Sequence, residues 1–317
     1  MIWLAIVVVL LLVSFLHRVR ANPRIERPPV LDEDGRPYDD HFVTLSDGER
    51  VPLIDAGEGR AILLIPGADG IRQTWRYQVQ PLARRFRVLA PDLRTRVPER
   101  ADFDRLCRDV EEILDARGVR RVVVVGQSLG GAIALRFAVL HPERVRALVV
   151  ANTLTRVSYE HVGLNRTLLV PVAMATTRYL PTVLASAFGR VWSLLEVWLF
   201  DRSPGFRRVI DYALWTGPRT VRPRVSAARV DLLNGGDLRP ELPELDVPTL
   251  VMKGPRDTYV PVAWSREVAD LIPGARYVEV PGTGHVSHIS MPDRFNRILF
   301  DWMDEIGALD EPEEADA

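Results

Sequence analysis

The chain has 317 residues, a formal net charge of −1 and 47% hydrophobic residues, which are ordinary values for a globular protein. Its balanced charge argues against a protein that binds nucleic acid. The single cysteine, Cys107, excludes an intrachain disulfide and a cysteine-based zinc site. Because Cys107 lies on the apolar side of a helical pattern, we expect it to pack in the core.

The N-terminus opens with an apolar run from Ile2 to Leu16. A membrane span usually needs about 20 residues, a length that the run reaches only with its polar flank, His17 to Arg20. Arginines follow the run and none precedes it, so the charge bias favours a membrane anchor over residues 1–20 whose C-terminal side is cytoplasmic. An uncleaved signal and a misassigned start are the alternatives. Residues 21–40 are rich in Pro, Arg and Asp, which predicts a linker.

Predicted strands and helices alternate from residue 41 onward. In chain order they are a hairpin of strands 41–45 and 51–55, strand 61–65, helix 74–84, strand 86–90, helix 103–117, strand 121–125, helix 129–140, strand 147–151, strand 249–253, helix 262–271, strand 276–280 and helix 291–306. The strands are nearly continuous apolar runs. This pattern predicts an α/β fold with a mostly parallel sheet and helices on both faces.

Residues 154–240 interrupt the alternation. They carry many arginines and large apolar residues, mostly at helical spacing. We interpret them as a helical cap inserted between two parts of one core, 41–153 and 241–308. Such a cap would overhang the strand ends where ligands bind in open α/β sheets. The acidic end, 309–317, is typical of a disordered tail.

The turn around Ser128 is the strongest functional signal. Four valines, 122–125, predict a buried strand, and an amphipathic helix follows the sequence Gly-Gln-Ser-Leu-Gly-Gly that starts at Gly126. A Gly-x-Ser-x-Gly turn between a strand and a helix exposes the serine hydroxyl beside a helix N-terminus. Gly126 and Gly130 leave room for a backbone too crowded for a Cβ. Ser128 is therefore a candidate nucleophile.

Around this serine the chain resembles the α/β-hydrolase superfamily over about residues 41–308. The resemblance rests on six ordered segments: Leu-Leu-Ile-Pro-Gly at 63–67, Ala-Pro-Asp-Leu-Arg at 90–94, Gly-Gln-Ser-Leu-Gly-Gly at 126–131, His-Pro-Glu-Arg-Val at 141–145, Gly-Pro-Arg-Asp-Thr-Tyr-Val-Pro at 254–261 and Gly-Thr-Gly-His at 282–285. The family's catalytic triad has the chain order Ser, Asp, His. The resemblance implies that fold and a serine hydrolase.

The resemblance implies that His285 is the base that takes the serine proton, because Gly-x-Gly-His matches the family motif. His288, three residues later, competes for the role and otherwise lines the pocket or packs. Asp257 is the candidate acid that orients the imidazole. Asp246 and Asp270 fit this position less well, since one precedes the strand and the other is late in a helix.

The resemblance also implies an oxyanion hole formed by two backbone N–H groups, those of Leu129 and Ala68. Pro66 stands where the family commonly has histidine, so the hydrogen bonding of this loop must differ. Asp69 brings a carboxylate near the pocket, although its default position faces solvent. The segment that starts at Asp92 departs from the family's Gly-x-Gly-x-Ser run.

A serine at the turn argues against dehalogenases and epoxide hydrolases of the same superfamily, which use Asp. It favours hydrolysis of a carboxylic ester, or of a thioester, lactone or amide, through an acyl-Ser128 intermediate. A carbon–carbon bond hydrolase, a cofactor-free perhydrolase and a catalytically silent, membrane-tethered binding protein are the alternatives. The apolar cap and the candidate anchor suggest an apolar or lipid-like small-molecule acyl substrate. No metal site or nucleotide-binding loop is visible, so we expect no cofactor.

Overall fold

The computed structural model describes residues 29–97, 102–156, 203–215, 223–233 and 236–307. Within these ranges eight strands form one sheet in the order β1-β2-β4-β3-β5-β6-β7-β8. The strands are β1 His41–Thr44, β2 Arg50–Ala56, β3 Ala61–Ile65, β4 Arg87–Pro91, β5 Val122–Gln127, β6 Val145–Ala151, β7 Thr249–Lys253 and β8 Arg276–Glu279. β2 pairs antiparallel with β1 and β4, and the other neighbours are parallel. The predicted α/β fold with a mostly parallel sheet is confirmed.

Helices cover the two faces of this sheet. The α-helices described are Val79–Ala83, Asp104–Ala116, Leu129–Leu140, Phe206–Trp215, Pro223–Leu233, Val262–Leu271, Ser287–Ser290 and Pro292–Glu305. Short 3₁₀ helices lie at Arg72–Trp75, Pro142–Arg144 and Leu242–Glu244. Helices Phe206–Trp215 and Pro223–Leu233 belong to the predicted cap, whose limits remain a prediction.

The core consists of two apolar layers, one on each face of the sheet. Successive residues of β5 alternate between them: Val122 and Val124 pack in one layer, Val123 and Val125 in the other. This is the period of two that a strand buried on both faces requires. Cys107 packs in the first layer, as expected, and burial raises the pKa of its thiol.

The prediction of a single helix over 74–84 is wrong. The structure has a 3₁₀ turn followed by the separate helix Val79–Ala83. Pro81 has no N–H to donate to the carbonyl of Tyr77, four residues earlier. The side chain of Asn296 donates to that carbonyl instead, at 2.9 Å. The chain therefore turns at this point.

The structure describes only parts of the predicted linker and cap, and none of the predicted anchor or tail. Within the predicted linker, Val30 is buried against the core, and Leu31 and Pro37 form an isolated bridge. In the part of the chain that the structure describes, no helix is long and apolar enough to cross a membrane. The predicted anchor at 1–20, residues 157–202 of the predicted cap and the predicted tail at 309–317 lie outside that part.

Parallel strands bring the candidate residues to one edge of the sheet. Ser128 follows β5, Asn152 follows β6, and Asp257 and His285 lie in the loops after β7 and β8. Because the carboxyl ends of these strands lie at the same edge, residues far apart in sequence meet there.

Candidate active site

Ser128 lies on a strained turn between β5 and helix Leu129–Leu140. Its φ of 55° and ψ of −120° belong to a region that non-glycine residues rarely adopt. The turn is tightly packed, since a Cβ at Gly126 would lie 2.2 Å from the carbonyl oxygen of Gly130. A Cβ at Gly130 would lie 2.3 Å from the carbonyl oxygen of Ile65. Both glycines are required by close backbone approach, as predicted.

The loop after β3 lies against this turn. A Cβ at Gly67 would be 3.5 Å from the Cβ of Ser128. Leu129 is the first residue of its helix, so its N–H has no partner within the helix. Among the described residues, neither the Leu129 N–H nor the Ala68 N–H donates a hydrogen bond. Leu129 follows Ser128 in the chain and Ala68 follows Gly67, so both N–H groups are available to the proposed oxyanion hole.

The structure joins His285 to Asp257. The Nδ1 atom of His285 lies 2.9 Å from Oδ2 of Asp257, and the imidazole is about one-sixth exposed, at 17%. The side chain of Gln127 donates to the carbonyl of His285 at 3.0 Å, which ties the histidine loop to the residue before Ser128. No hydrogen bond joins the Ser128 hydroxyl to His285 within the described ranges. Contacts of this kind are often loose without substrate.

Asp257 accepts five hydrogen bonds. Besides the hydrogen bond with His285, its Oδ2 accepts hydrogen bonds from Nδ2 of Asn152 at 2.8 Å and from Nζ of Lys253 at 2.5 Å. Its Oδ1 receives the backbone N–H groups of Tyr259 and Val260, at 2.8 and 2.9 Å. Burial alone would raise the pKa of the Asp257 carboxyl. The charges of His285 and Lys253 and their hydrogen bonds overcome that effect and hold this pKa well below its usual range.

The competing candidates lie elsewhere. Asp246 and Asp270 are exposed, so neither can orient His285. His288 is fully buried, stacks on Trp75 at 4.7 Å between ring centroids and has its Nε2 3.0 Å from Oγ1 of Thr74. Burial lowers the pKa of His288 to about 3, with a smaller effect from His285. A neutral, packed His288 fits the structural alternative that the sequence left open.

Asp69 faces inward rather than fully into solvent. Its carboxylate accepts hydrogen bonds from its neighbour Gly70 and from the hydroxyl of Tyr212, on a cap helix. Burial raises the pKa of the Asp69 carboxyl to about 6, against the opposing effects of the Gly70 hydrogen bond and the charge of Arg229. The charge of His285 acts on it as well, so Asp69 belongs to the surroundings of the histidine.

Arg229 donates to the loop that follows Pro66. It lies on cap helix Pro223–Leu233, is 3% exposed, and donates to the carbonyls of Ala68 at 3.2 Å and Asp69 at 3.3 Å. It also donates to the carbonyls of Leu93 and Arg94, both in the segment that departs from the family pattern. One guanidinium therefore links both unusual loops to the cap.

Sequence reasoning missed Lys253, Asn152 and Arg229 as parts of this site. Lys253 had a signal, because it is the only lysine of the chain and ends an apolar strand. Asn152 had a weaker one, as a polar residue directly after the apolar strand β6. No sequence signal distinguished Arg229 from the other arginines of the cap. In the described ranges, no group of three or more His, Cys, Asp or Glu residues could hold a metal ion.

Comparison with known proteins agrees with this geometry. The family model of the alpha/beta hydrolase fold matches residues 60–292. A 2-hydroxy-6-oxo-6-phenylhexa-2,4-dienoate hydrolase of Burkholderia cepacia is 27% identical over 288 residues, which cover 83% of this chain and 95% of the relative.

Solved structures are similar over the same part of the chain. An enol-lactonase from Burkholderia xenovorans LB400 is 25% identical with a TM-score of 0.70, covering 83% of this chain and 100% of its own. A membrane phospholipase A, described as a bacterial virulence factor, is also 25% identical with a TM-score of 0.70, covering 84% of this chain and 86% of its own. The chain belongs to the α/β-hydrolase fold family, and at the level of the family it is a hydrolase.

Proposed function

We propose that this protein hydrolyses a carboxylic ester through an acyl-Ser128 intermediate. The observation that carries the proposal is the hydrogen bond between His285 and a buried, ionised Asp257, in the loop that Gln127 ties to the strained turn of Ser128. A carboxylate on Nδ1 fixes the imidazole tautomer, so that Nε2 is free to accept a proton.

In the proposed reaction the Ser128 hydroxyl attacks the ester carbonyl carbon while His285 takes its proton. The oxyanion accepts hydrogen bonds from the backbone N–H groups of Ala68 and Leu129. The C–O bond to the alcohol then breaks, and His285 gives its proton to the departing oxygen. In the second half, water attacks the acyl carbonyl while His285 takes its proton. The bond to the Ser128 oxygen then breaks and His285 protonates that oxygen, which releases the acid and restores Ser128. Asp257 stabilises the imidazolium in both halves without itself taking the proton.

Asp69 favours an uncharged substrate. Its carboxyl has a pKa raised to about 6 by burial, so at neutral pH it is mostly ionised, next to the loop that carries the Ala68 N–H. A negative charge there opposes anionic substrates such as the dienoates in the names of the sequence relatives. We therefore place an apolar ester, including a lipid ester, ahead of an anionic one. Similarity to a membrane phospholipase A supports this choice.

Carbon–carbon bond hydrolysis is the second candidate. It is favoured by the Burkholderia cepacia relative, which matches this chain over 95% of its own length. Hydrolysis of p-nitrophenyl esters of increasing acyl length, beside a 2-hydroxy-6-oxo-dienoate, separates the two. A preference for long acyl chains supports the lipid-like ester. A preference for acetate contradicts it, and turnover of the dienoate alone selects the second candidate.

Labelling with a fluorophosphonate probe tests the nucleophile itself. We expect labelling of the full chain and of Ser46→Ala, whose exposed serine is bonded to Glu112 away from the site. We expect none in Ser128→Ala and His285→Ala. If the full chain were not labelled, the proposed serine hydrolase would be wrong. The alternative of a catalytically silent, membrane-tethered binding protein would then remain.

We further propose that residues 1–20 anchor the protein, with its catalytic domain in the cytoplasm. The apolar run and the arginines that follow it support this orientation. Membrane fractions from cells that express the full chain or residues 21–317 test it. A full chain found entirely in the soluble fraction would contradict the anchor.

A further inference from the structure

Lys253 is the only lysine among the 41 basic residues of the chain, and it is completely buried. It ends β7, and its ammonium lies 2.5 Å from Oδ2 of Asp257 and 2.6 Å from the carbonyl oxygen of Val260. Burying an ammonium is costly unless it is paired and hydrogen-bonded. Such a group in the β7 strand, four residues before the candidate acid, calls for a functional account.

Lys253 and His285 contact the same oxygen. The Oδ2 atom of Asp257 receives Lys253 on one side and His285 Nδ1, at 2.9 Å, on another. The buried pair of Lys253 and Asp257 has no net charge. Lys253 therefore offsets part of the field that Asp257 exerts on an imidazolium at His285, while the hydrogen bond that orients the ring is retained.

We propose that Lys253 is a positioning residue that fixes the Asp257 carboxylate against His285 and offsets part of its charge, so that activity persists to a more acidic pH than a carboxylate alone would permit. The inference rests on the proposed triad and assigns a regulatory role in that triad to Lys253. It separates two tasks that Asp257 would otherwise perform together, because orientation needs the hydrogen bond and the basicity of His285 depends on the net charge behind it.

The other titratable groups around His285 do not account for this effect. Tyr259 has its ring 5.0 Å from that of His285, between centroids. His288 is buried and neutral near physiological pH, since burial lowers its pKa to about 3. Asp69 lies across the site, and its pKa of about 6, raised by burial, means that it titrates close to a histidine. An Asp69→Asn background removes this overlap from the measurement.

The sign of the expected change follows from the charges. Without the ammonium, Asp257 presents a full negative charge to the ring, which stabilises the imidazolium. The acidic limb of kcat/KM should then move to higher pH, by about one unit if the effect resembles that of other close charges, so activity falls much more at pH 6 than at pH 8.

The test combines two substitutions with an NMR titration of histidine-labelled full-length protein. Lys253→Gln keeps a hydrogen-bond donor without the charge, and Lys253→Arg keeps the charge. We expect the His285 titration to rise by about one unit in the first variant and to stay near wild type in the second. Met252→Ala is the matched control, since it removes packing from the opposite face of the same strand. It should leave the titration unchanged.

A second measurement needs no substitution. Because the chain has one lysine, lysine labelled with ¹³C at Cε gives one signal. We expect a charged ammonium whose shift changes at the pH where His285 titrates. A neutral amine at pH 7, or a His285 titration that is identical in the wild type and in folded Lys253→Gln, would overturn the proposal. Neither readout requires turnover, so failure of the esterase proposal shows separately as absent fluorophosphonate labelling.

Discussion

The guanidinium of Arg229 donates to the carbonyl oxygen of Ala68, the residue whose N–H is a proposed donor of the oxyanion hole. The two residues are 161 positions apart in the chain, and one belongs to a cap helix while the other follows β3. Because the buried arginine holds the Ala68 carbonyl, the adjacent peptide group that carries the Ala68 N–H has less freedom to rotate. A helix of the predicted cap therefore fixes part of the candidate site.

We expect Arg229→Met to lower kcat/KM for an ester by about tenfold. Loss of a whole oxyanion-hole donor costs about 10²–10³ in kcat, and misplacing one should cost less. The variant also leaves carbonyls of both loops without their donor, so its thermal unfolding midpoint should fall. Steady-state kinetics and a thermal melt measure the two effects.

Gly70→Ala disturbs the contact of Arg229 with this loop without changing Arg229 itself, and so complements the first variant. A Cβ at Gly70 would lie 1.9 Å from Nη1 of Arg229, and the backbone φ of +67° suits glycine. Both variants should lose kcat in similar proportion. Unchanged kcat in a folded Arg229→Met protein would show that the loop keeps its geometry without the guanidinium.

We expect Asp69→Asn to change the preference for substrate charge. The asparagine keeps an acceptor for Gly70 and Tyr212 but carries no charge near the proposed oxyanion hole. At pH 8, kcat/KM for an anionic ester such as p-nitrophenyl hemisuccinate should rise about fivefold relative to a neutral ester of equal length, a modest shift for one partly screened charge. At pH 5, below the Asp69 pKa of about 6, the two proteins should differ little. An unaltered ratio at pH 8 would exclude Asp69 from substrate discrimination.

Much of the fold and of the candidate site could be predicted because the signals are local. The valines of β5 and the glycines around Ser128 define a strand, a turn and a helix by themselves. The Gly-x-Gly-His motif singled out His285 in the same way. The helix predicted over 74–84 failed because Pro81 cannot donate to the carbonyl of Tyr77, which accepts instead from Asn296, more than 200 residues away.

Residues whose partners are distant were harder to predict. Arg229 bonds to Ala68 and Leu93, and nothing near it in the sequence indicates those carbonyls. Asn152 carries no charge that would mark it as part of a triad, although its amide donates to the carboxylate of Asp257. Burial likewise decides the role of His288, and a motif of four residues carries no information about burial.

Asp257→Asn should affect both catalysis and stability. Because the folded pKa of Asp257 is depressed below its unfolded value of about 4, its contribution to stability is present above that pH and is lost as pH falls through the folded pKa. The amide removes this contribution and takes away the negative charge that Asp257 places 2.5 Å from the buried Lys253 ammonium. We expect a loss of about 3–5 kcal/mol in unfolding free energy at pH 7 and of about 10⁴ in kcat.

Urea unfolding and ester kinetics measure these two losses. Asp246→Asn is the control, since that carboxylate is exposed and seven residues before Lys253. It should change neither quantity appreciably. If Asp257→Asn retained wild-type kcat, another group would have to orient His285, and the proposed triad would be wrong.

Substitutions at His285 and at His288 should separate function from stability. His285→Ala should abolish fluorophosphonate labelling while the unfolding free energy changes by about 1 kcal/mol or less, because its imidazole is partly exposed. The folded His288→Asn protein should still be labelled, and its unfolding free energy should fall by about 2 kcal/mol at pH 7. The asparagine forfeits the ring contacts with Trp75 and Phe295.

The pH dependence of unfolding provides an independent check on His288. Its folded pKa of about 3, lowered by burial, lies below the unfolded value of about 6.5. Between these values the unfolded chain binds more protons, so stability is complete above about pH 6.5 and decreases as pH falls toward 3. Urea unfolding at pH 7, 6 and 5 should show this decrease in the wild type and in His285→Ala, and a flatter profile in His288→Asn. Equal slopes in all three proteins would mean that His288 is protonated in the folded state, and would reopen it as a candidate base.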